Sequence, residues 1–184
     1  MTKVLWHITM SLDGFIAPAD DSVEWMFGHG SAGPLGMETV ERTGAVLSGR
    51  RGYDLGNRLG EGNRKLYGGM WSGPMFVLTH RPGEVPEDPR VRFLSGGVAD
   101  AVATAQAAAG AGAVGIFGAD LARQCIELGL LDEIVVHLVP ILLGGGVRLF
   151  DGVGPVRLRK VRGDDSGQIT DLRFEIVRED SARR

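Results

Sequence analysis

Three places in this 184-residue chain set glycine, hydroxyl or basic residues directly behind a short apolar run. In one, Ala113 to Phe117 is apolar, Gly118 follows, and Leu121, Ala122, Cys125, Ile126 and Leu128 then recur at helical spacing. That is a strand, a tight turn and a helix. A glycine at such a junction lets a ligand approach the backbone, and the first-turn N–H groups of the helix lack partners, so phosphate is a suitable guest. The plainer reading is that the glycine serves the turn alone. In a second place Ala45 to Leu47 leads into Ser48-Gly49-Arg50-Arg51. Arginine's planar fork suits phosphate oxygens, and two arginines at a helix start oppose the helix dipole, which argues for an anionic partner. In the third, Met75 to Leu78 ends in Thr79-His80-Arg81-Pro82.

Other residues could act on a substrate. Asp13 lies just past the first strand, where it could orient a ligand or relay a proton, or cap the turn before Gly14. His137 interrupts an apolar run and could donate to a carbonyl, or be a satisfied core histidine. His7 is similar, and His29 and His80 read as loop residues. Trp25 could close over a flat ring or anchor its loop. No histidines or cysteines stand at metal spacing and no nucleophile stands beside a base, so neither metal nor covalent catalysis is expected.

Many short elements must position these groups. Val4 to Met10 reads as a strand that turns through Ser11 to Gly14 into Phe15-Ile16-Ala17. Pro18 to Pro34 is a long loop by composition, the kind that often serves as a lid. A helix over Leu35 to Arg42 follows. Val91 to Leu94 is another strand, Val98 to Ala109 an alanine-rich helix, and Ile134 to Val139 a β-branched strand stopped by Pro140. Gly144 to Gly146 mark a turn with positive φ. Val156 to Val161 and Ile169 to Val177 form a closing hairpin around Gly163 to Gly167. The expected fold is α/β, a mixed and mainly parallel sheet with helices on both faces and a C-terminal antiparallel hairpin. Ligands in such sheets sit at the carboxyl ends of strands, where the three polar clusters fall.

Composition narrows the class. The length suits one domain spanning residues 1–184, and the net charge of −3 with scattered basic residues gives no nucleic-acid surface. The single cysteine, Cys125, lies on an apolar helix face as an inert buried thiol, in keeping with a reducing cytoplasm. With neither a signal-like start nor a long apolar stretch, a cytoplasmic, membrane-free protein is expected.

The runs SLDGFIA, SGRRGYD, VLTHRP, FGADLARQCIELGLLDEI and HLVPILLGGGVRLF, in that order, resemble the reductase domain of bifunctional riboflavin-biosynthesis deaminase-reductases, in the dihydrofolate reductase superfamily. The resemblance covers nearly the whole chain, without a preceding zinc deaminase domain. It implies the three-layer dihydrofolate reductase fold, NADPH as cofactor, a homodimer, and hydride transfer to a small heterocyclic or carbonyl substrate, pyrimidine-like or pterin-like. It places Gly49, Arg50 and Arg51 beside the cofactor phosphates, and Thr79 and Arg81 near the adenosine 2′-phosphate. Gly118, Ala119, Asp120 and Leu121 fall around the pyrophosphate, and Thr9, Ile16 and Ala17 beside the nicotinamide. Where the family usually has two glycines this chain has Gly118-Ala119. The carboxylate that grips pteridine has no clear match, with Glu24, Glu38 and Glu41 as candidates. The competing expectation is a dinucleotide-binding module or dimeric ligand sensor that has lost turnover.

Overall fold

The alternation in β1 (Val4–Ser11) sorts the protein into two faces. Val4, Trp6, Ile8 and Met10 turn into a core shared with Val114, Ile116, Ile134 and Val136, while Leu5, His7, Thr9 and Ser11 face the other way. The computed structural model describes residues 2–30, 33–58, 66–81, 86 and 88–178, so Pro82 at the end of the third cluster lies outside the described residues. Behind β1 come β2 (Phe15–Ala17), α1 (Pro34–Arg42), β3 (Thr43–Gly49), α2 (Arg50–Arg58), β4 (Met75–Leu78) and β5 (Val91–Leu94). Then follow α3 (Val98–Ala108), β6 (Ala113–Phe117), α4 (Ala119–Glu127), β7 (Glu133–Val139), β8 (Val147–Arg148), β9 (Leu158–Ser166) and β10 (Ile169–Ile176).

Eight strands make one sheet in the order β5-β4-β3-β6-β1-β7-β10-β9, and β2 pairs with β8 separately. From β5 to β7 every pairing is parallel; β10 then runs antiparallel to β7, and β9 antiparallel to β10. The mixed sheet and closing hairpin are as the sequence leads one to expect. The turn is not. β9 continues to Ser166, which pairs with Ile169, so only Gly167, at φ +65°, and Gln168 form the turn. Asp164 and Asp165 look like turn residues, but here they occupy an edge strand, where Asp164 pairs with Arg162 and Asp165 accepts from Thr170.

The core face is covered by Val98, Ala101, Val102 and Ala105 of α3 and by Leu121, Ala122 and Cys125 of α4. Burial pushes the Cys125 thiol up to about 12, which leaves it protonated and unreactive. Among the described residues no helix is long and apolar enough to cross a membrane.

On the opposite face α1 packs against β3, β9 and β10. There Glu133 is fully buried, with Lys3 Nζ at 2.5 Å, Arg173 Nη2 at 2.6 Å and Arg42 Nη1 at 3.4 Å. Burying a carboxylate costs several kcal/mol, an amount offset only when cations and hydrogen bonds surround it as they do here. The cluster ties the chain start, α1, β7 and β10 together. Close backbone packing supplies a second constraint. A Cβ on Gly44 would lie 2.0 Å from the Ala109 carbonyl oxygen, and one on Gly112 would lie 2.6 Å from the Gly44 nitrogen. The β3–β6 register shifts between Thr43 and Ala45, so Gly44 sits at an irregularity where another backbone crosses.

Gly44→Ala is therefore expected to lower stability by roughly 1–3 kcal/mol. Gly56→Ala, within α2 with no atom near the added methyl, should raise it by roughly 0.5–1 kcal/mol. Urea unfolding midpoints test the pair, and equal midpoints would remove the close-approach account. Glu133→Gln should cost about 3–5 kcal/mol, because the surrounding cations lose their buried counter-charge.

Candidate functional site

Parallel pairing of β3 with β6 sets Ser48 opposite Phe117, so Gly49 and Gly118 leave the sheet at the same level. A Cβ built on Gly118 would lie 3.9 Å from the Gly49 nitrogen, and one on Gly49 would meet nothing within 4 Å. Gly118 has φ +110°, a conformation side chains resist, and it starts α4 without a side-chain cap. The chain leaves β3 toward β4 and β6 toward β7, in opposite directions along the sheet. A crevice opens between two such connections, and here it carries the starts of α2 and α4 side by side. The structure thus brings two of the three polar clusters together.

The third cluster lies one strand farther out. Arg50, Arg51, Asp54, Asn57 and Arg58 of α2 and Thr79, His80 and Arg81 behind β4 line an open cavity of about 720 Å³. Arg50 donates to Asp54 at 2.7 Å and lies 5.0 Å from the Phe93 ring centroid. Arg51 donates to Asp21 in the loop before α1 at 2.7 Å. These carboxylates already balance both cations, so their place at a helix start does not by itself demand an anionic ligand. Thr79 is buried, and its hydroxyl accepts from the Arg81 N–H at 3.1 Å, which shapes the turn and leaves Arg81 exposed.

At the other helix start, Leu121 is buried in the core and the Ala119 methyl packs against it, so both offer the crevice only backbone. Asp120 accepts from Arg123 and Gln124 on its own helix, and the Arg123 bond foremost holds its carboxyl below the usual range. Ile16 packs on the core, and the Ala17 carbonyl would touch a Cβ on Gly146 at 2.1 Å. Asp13 is fully engaged. Its carboxylate accepts from the Ser11 hydroxyl at 2.6 Å and from the Leu143 and Gly144 N–H groups at 3.1 and 2.7 Å, and these bonds, Ser11's first, lower its pKa. It acts as a clasp between the β1–β2 turn and the Gly144 loop. Trp25 lies in a 3-10 turn, Glu24–Met26, and no hydrogen bond or ring contact among the described residues ties it to the crevice.

The sheet face beside the crevice carries a polar chain. Thr9 is opposite His137, and His137 is opposite Asp171. His137 Nδ1 lies 2.5 Å from Asp171 Oδ1, His137 Nε2 meets His7 Nε2, and His7 Nδ1 lies 3.1 Å from the Tyr67 hydroxyl. Burial, and then the neighbouring His137, push His7 down to about 3, while burial drives the Tyr67 phenol above its ordinary range. Asp171 is fully buried, and its Oδ2 has no hydrogen bond among the described residues. Gly33, at the start of α1, makes room for it, since a Cβ there would lie 2.6 Å from Oδ2.

None of the three candidate carboxylates joins this polar chain. Glu38 is held by Arg173 at 2.9 Å and Arg162 at 2.7 Å, Glu24 accepts from the Val23 N–H, and Glu41 is exposed. The buried carboxylate in contact with His137 is Asp171, from β10. Sequence reasoning singled out His137 but missed Asp171 and Tyr67. Asp171 gives no local hint, since it falls on the same face of its alternating strand as Arg173 and Glu175. For Tyr67 the hint is the Gly68-Gly69 pair behind a residue held at φ +55°.

Comparison with known proteins agrees with this geometry. The uncharacterized protein YwjB of Bacillus subtilis (strain 168) is 25% identical over 177 residues, covering 94% of this chain and 97% of that protein. A Shewanella sp. PV-4 crystal structure, described as of a riboflavin biosynthesis protein, superposes with TM-score 0.81 at 24% identity, over 96% of this chain and 100% of that one. Dihydrofolate reductase from Enterococcus faecalis, complexed with NADP(H), matches with TM-score 0.61 at 12% identity, over 95% of this chain and 96% of that one. At these identities the two structures establish a shared fold, the dihydrofolate reductase-like one. The family model described as the RibD C-terminal domain matches residues 2–171, and the chain belongs to that family.

Proposed function

We propose that the protein is an NADPH-dependent reductase of a small heterocyclic or carbonyl substrate. The observation that carries this reading is the crevice in which Gly49 and Gly118 face each other at the starts of α2 and α4, next to a sheet face bearing two histidines. Family membership and the fold shared with an NADP(H)-complexed reductase support it.

The crevice suits a dinucleotide. Space over Gly49 and the uncapped start of α4 accommodate a pyrophosphate, which would take the N–H groups of Ala119, Asp120 and Leu121. The inward Ala119 methyl removes the need for a second glycine. Thr79, Arg81 and Arg51 then serve the 2′-phosphate, with Arg50 held beside them by Asp54 and Phe93. Thr9, Ile16 and Ala17 border the nicotinamide. The cofactor would supply the hydride, and the His137 ring, opposite Thr9 and held at its nitrogens by Asp171 and His7, would border the substrate. Asp13 would act by clasping the β1–β2 turn to the Gly144 loop. The protein's task is to hold two rings in contact and exclude water.

Titration calorimetry with NADPH and NADH tests the reading, and clear preference for NADPH is the expected outcome. Binding of neither would remove it, and binding without turnover of any carbonyl or heterocycle would favour a ligand sensor. Arg81→Ala should weaken NADPH about tenfold while leaving NADH nearly unchanged, since a charge-assisted hydrogen bond contributes about 1.5–3 kcal/mol. Equal losses for both cofactors would displace Arg81 from the 2′-phosphate.

A further inference from the structure

We propose that Asp21 stands in for the cofactor phosphate at Arg51, so that a phosphate monoester and the loop of residues 18–30 compete for one guanidinium, and the phosphate frees the loop as it binds. The proposal rests on the reductase reading for the identity of its phosphate, while the competition follows from the geometry of the pair.

Arg51 is the second residue of α2 and lines the cavity of about 720 Å³ behind β4. Its Nη2 donates to Asp21 Oδ1 at 2.7 Å and its Nε to Asp21 Oδ2 at 3.3 Å. One edge of the guanidinium is thereby taken up by two carboxylate oxygens, in the fork arrangement that two oxygens of a phosphate would use. A carboxylate brings one negative charge and a phosphate monoester nearly two, so the same edge holds the phosphate more strongly once the phosphate has reached it. Arg58 and Arg81 line the same cavity and make no ion pair among the described residues. They give an arriving dianion its first cations, whereas Arg50 stays with Asp54. The dianion also repels Asp21 across Arg51. An adenosine without the phosphate brings no such charge and leaves the Asp21 pair closed.

The pair is suited to exchange rather than to holding the fold. The Arg51 side chain is 66% exposed and that of Asp21 21%, in contrast to the fully buried Glu133. An ion pair so open to water contributes little to stability. Asp21 is held at φ +58°, a left-handed conformation, with its N–H donating to the Pro18 carbonyl at 3.2 Å. Such a conformation persists where its surroundings fix it, and the side-chain partner of Asp21 among the described residues is Arg51. The other end of the loop is held differently. The His29 carbonyl accepts from the Gln168 N–H at 3.0 Å, and a Cβ on Gly30 would lie 2.8 Å from the Ser166 carbonyl oxygen. Between the two fixings, the Trp25 indole N–H is buried without a hydrogen bond among the described residues, and Phe27 is exposed. An unpaired polar group and an aromatic ring in water are both costs of the latched arrangement, which a freed loop can relieve. Ala17, which borders the nicotinamide in the reductase reading, is followed closely by Asp21, so one short segment joins the two ends of the cofactor cleft.

Adenosine 2′-monophosphate and adenosine, titrated into the free full-length protein and followed by amide NMR shifts, test the competition without turnover. Asp21→Asn keeps the shape of the side chain and removes its charge. It should tighten adenosine 2′-monophosphate about two- to fivefold, the worth of an exposed ion pair, and leave adenosine unchanged. The gain should vanish in the Arg51→Ala background, where no guanidinium is contested. In the unsubstituted protein, adenosine 2′-monophosphate should speed amide hydrogen exchange over residues 19–28 and adenosine should not. In Asp21→Asn that exchange should be fast from the outset. An affinity unchanged or weakened by Asp21→Asn, a gain that persists without Arg51, or loop exchange that the phosphate leaves unaltered or slows would each overturn the proposal, as would failure of adenosine 2′-monophosphate to bind either form. The exchange measurement on the unsubstituted protein decides the matter if a variant does not fold. Calorimetry with NADPH reads the reductase proposal separately. NADPH binding without a gain in Asp21→Asn removes the competition alone, and a gain for adenosine 2′-monophosphate without NADPH binding removes the reductase reading alone.

Discussion

Parallel pairing of β3 with β6 is the constraint on which the rest of the site depends. These strands are far apart in sequence, with α2, β4, β5 and α3 between them, yet their register brings Gly49 and Gly118 to one level. That register is enforced at its far end, where Gly44 and Gly112 let two backbone segments cross at distances no side chain would allow. A slip of one residue would turn Leu47 and Ile116 out of the core and separate the two helix starts. Packing at the amino end of the strands thereby fixes chemistry at the carboxyl end.

The sheet face opposite α3 and α4 has polar groups at both ends, and each end solves the burial problem differently. At the amino end Glu133 is fully ionic, surrounded by Lys3, Arg42 and Arg173, and its satisfied bonds hold elements together. At the carboxyl end Asp171 has one oxygen bonded to His137 and the other without a hydrogen bond among the described residues. Buried polar groups left incompletely satisfied are costly, and they are retained where they have a task. The contrast within one face, along β7 and β10, separates a carboxylate surrounded by cations from one whose single hydrogen-bonded partner is an imidazole.

Much of this was readable from the chain. Short apolar runs followed by glycine or basic residues located β3, β4 and β6 and the starts of α2 and α4, because a strand-to-helix turn leaves a local signature. The hairpin's existence was legible, but its turn was not. Asp164 and Asp165 have turn-like identities, and only their pairing with Arg162 and Thr170 makes them strand residues. Arg50 and Arg51 were legible as residues near the crevice, whereas their partners Asp54 and Asp21 depend on side-chain geometry that spacing only half predicts. Asp171 and Tyr67 are the clearest omissions, since both reach His137 and His7 through pairings between distant segments. Such contacts exist only once the sheet order does.

The position of the carboxylate bears on what kind of substrate this face can accept. Had α1 supplied it, through Glu38 or Glu41, the acid would have met a ligand directly from the helix that covers the face. Glu38 instead joins α1 to β9 and β10 through Arg162 and Arg173, which makes the helix a structural strut. The remaining carboxylate, Asp171, is fully buried, with one oxygen against His137 Nδ1 and the other beneath Gly33 at the start of α1. A carboxylate in direct contact selects for a substrate that donates two hydrogen bonds, as an amidine-like ring does. The fold is shared with dihydrofolate reductase, but on this face the buried acid of β10 is turned to His137, and the acids of α1 are taken up by Arg162 and Arg173 or exposed.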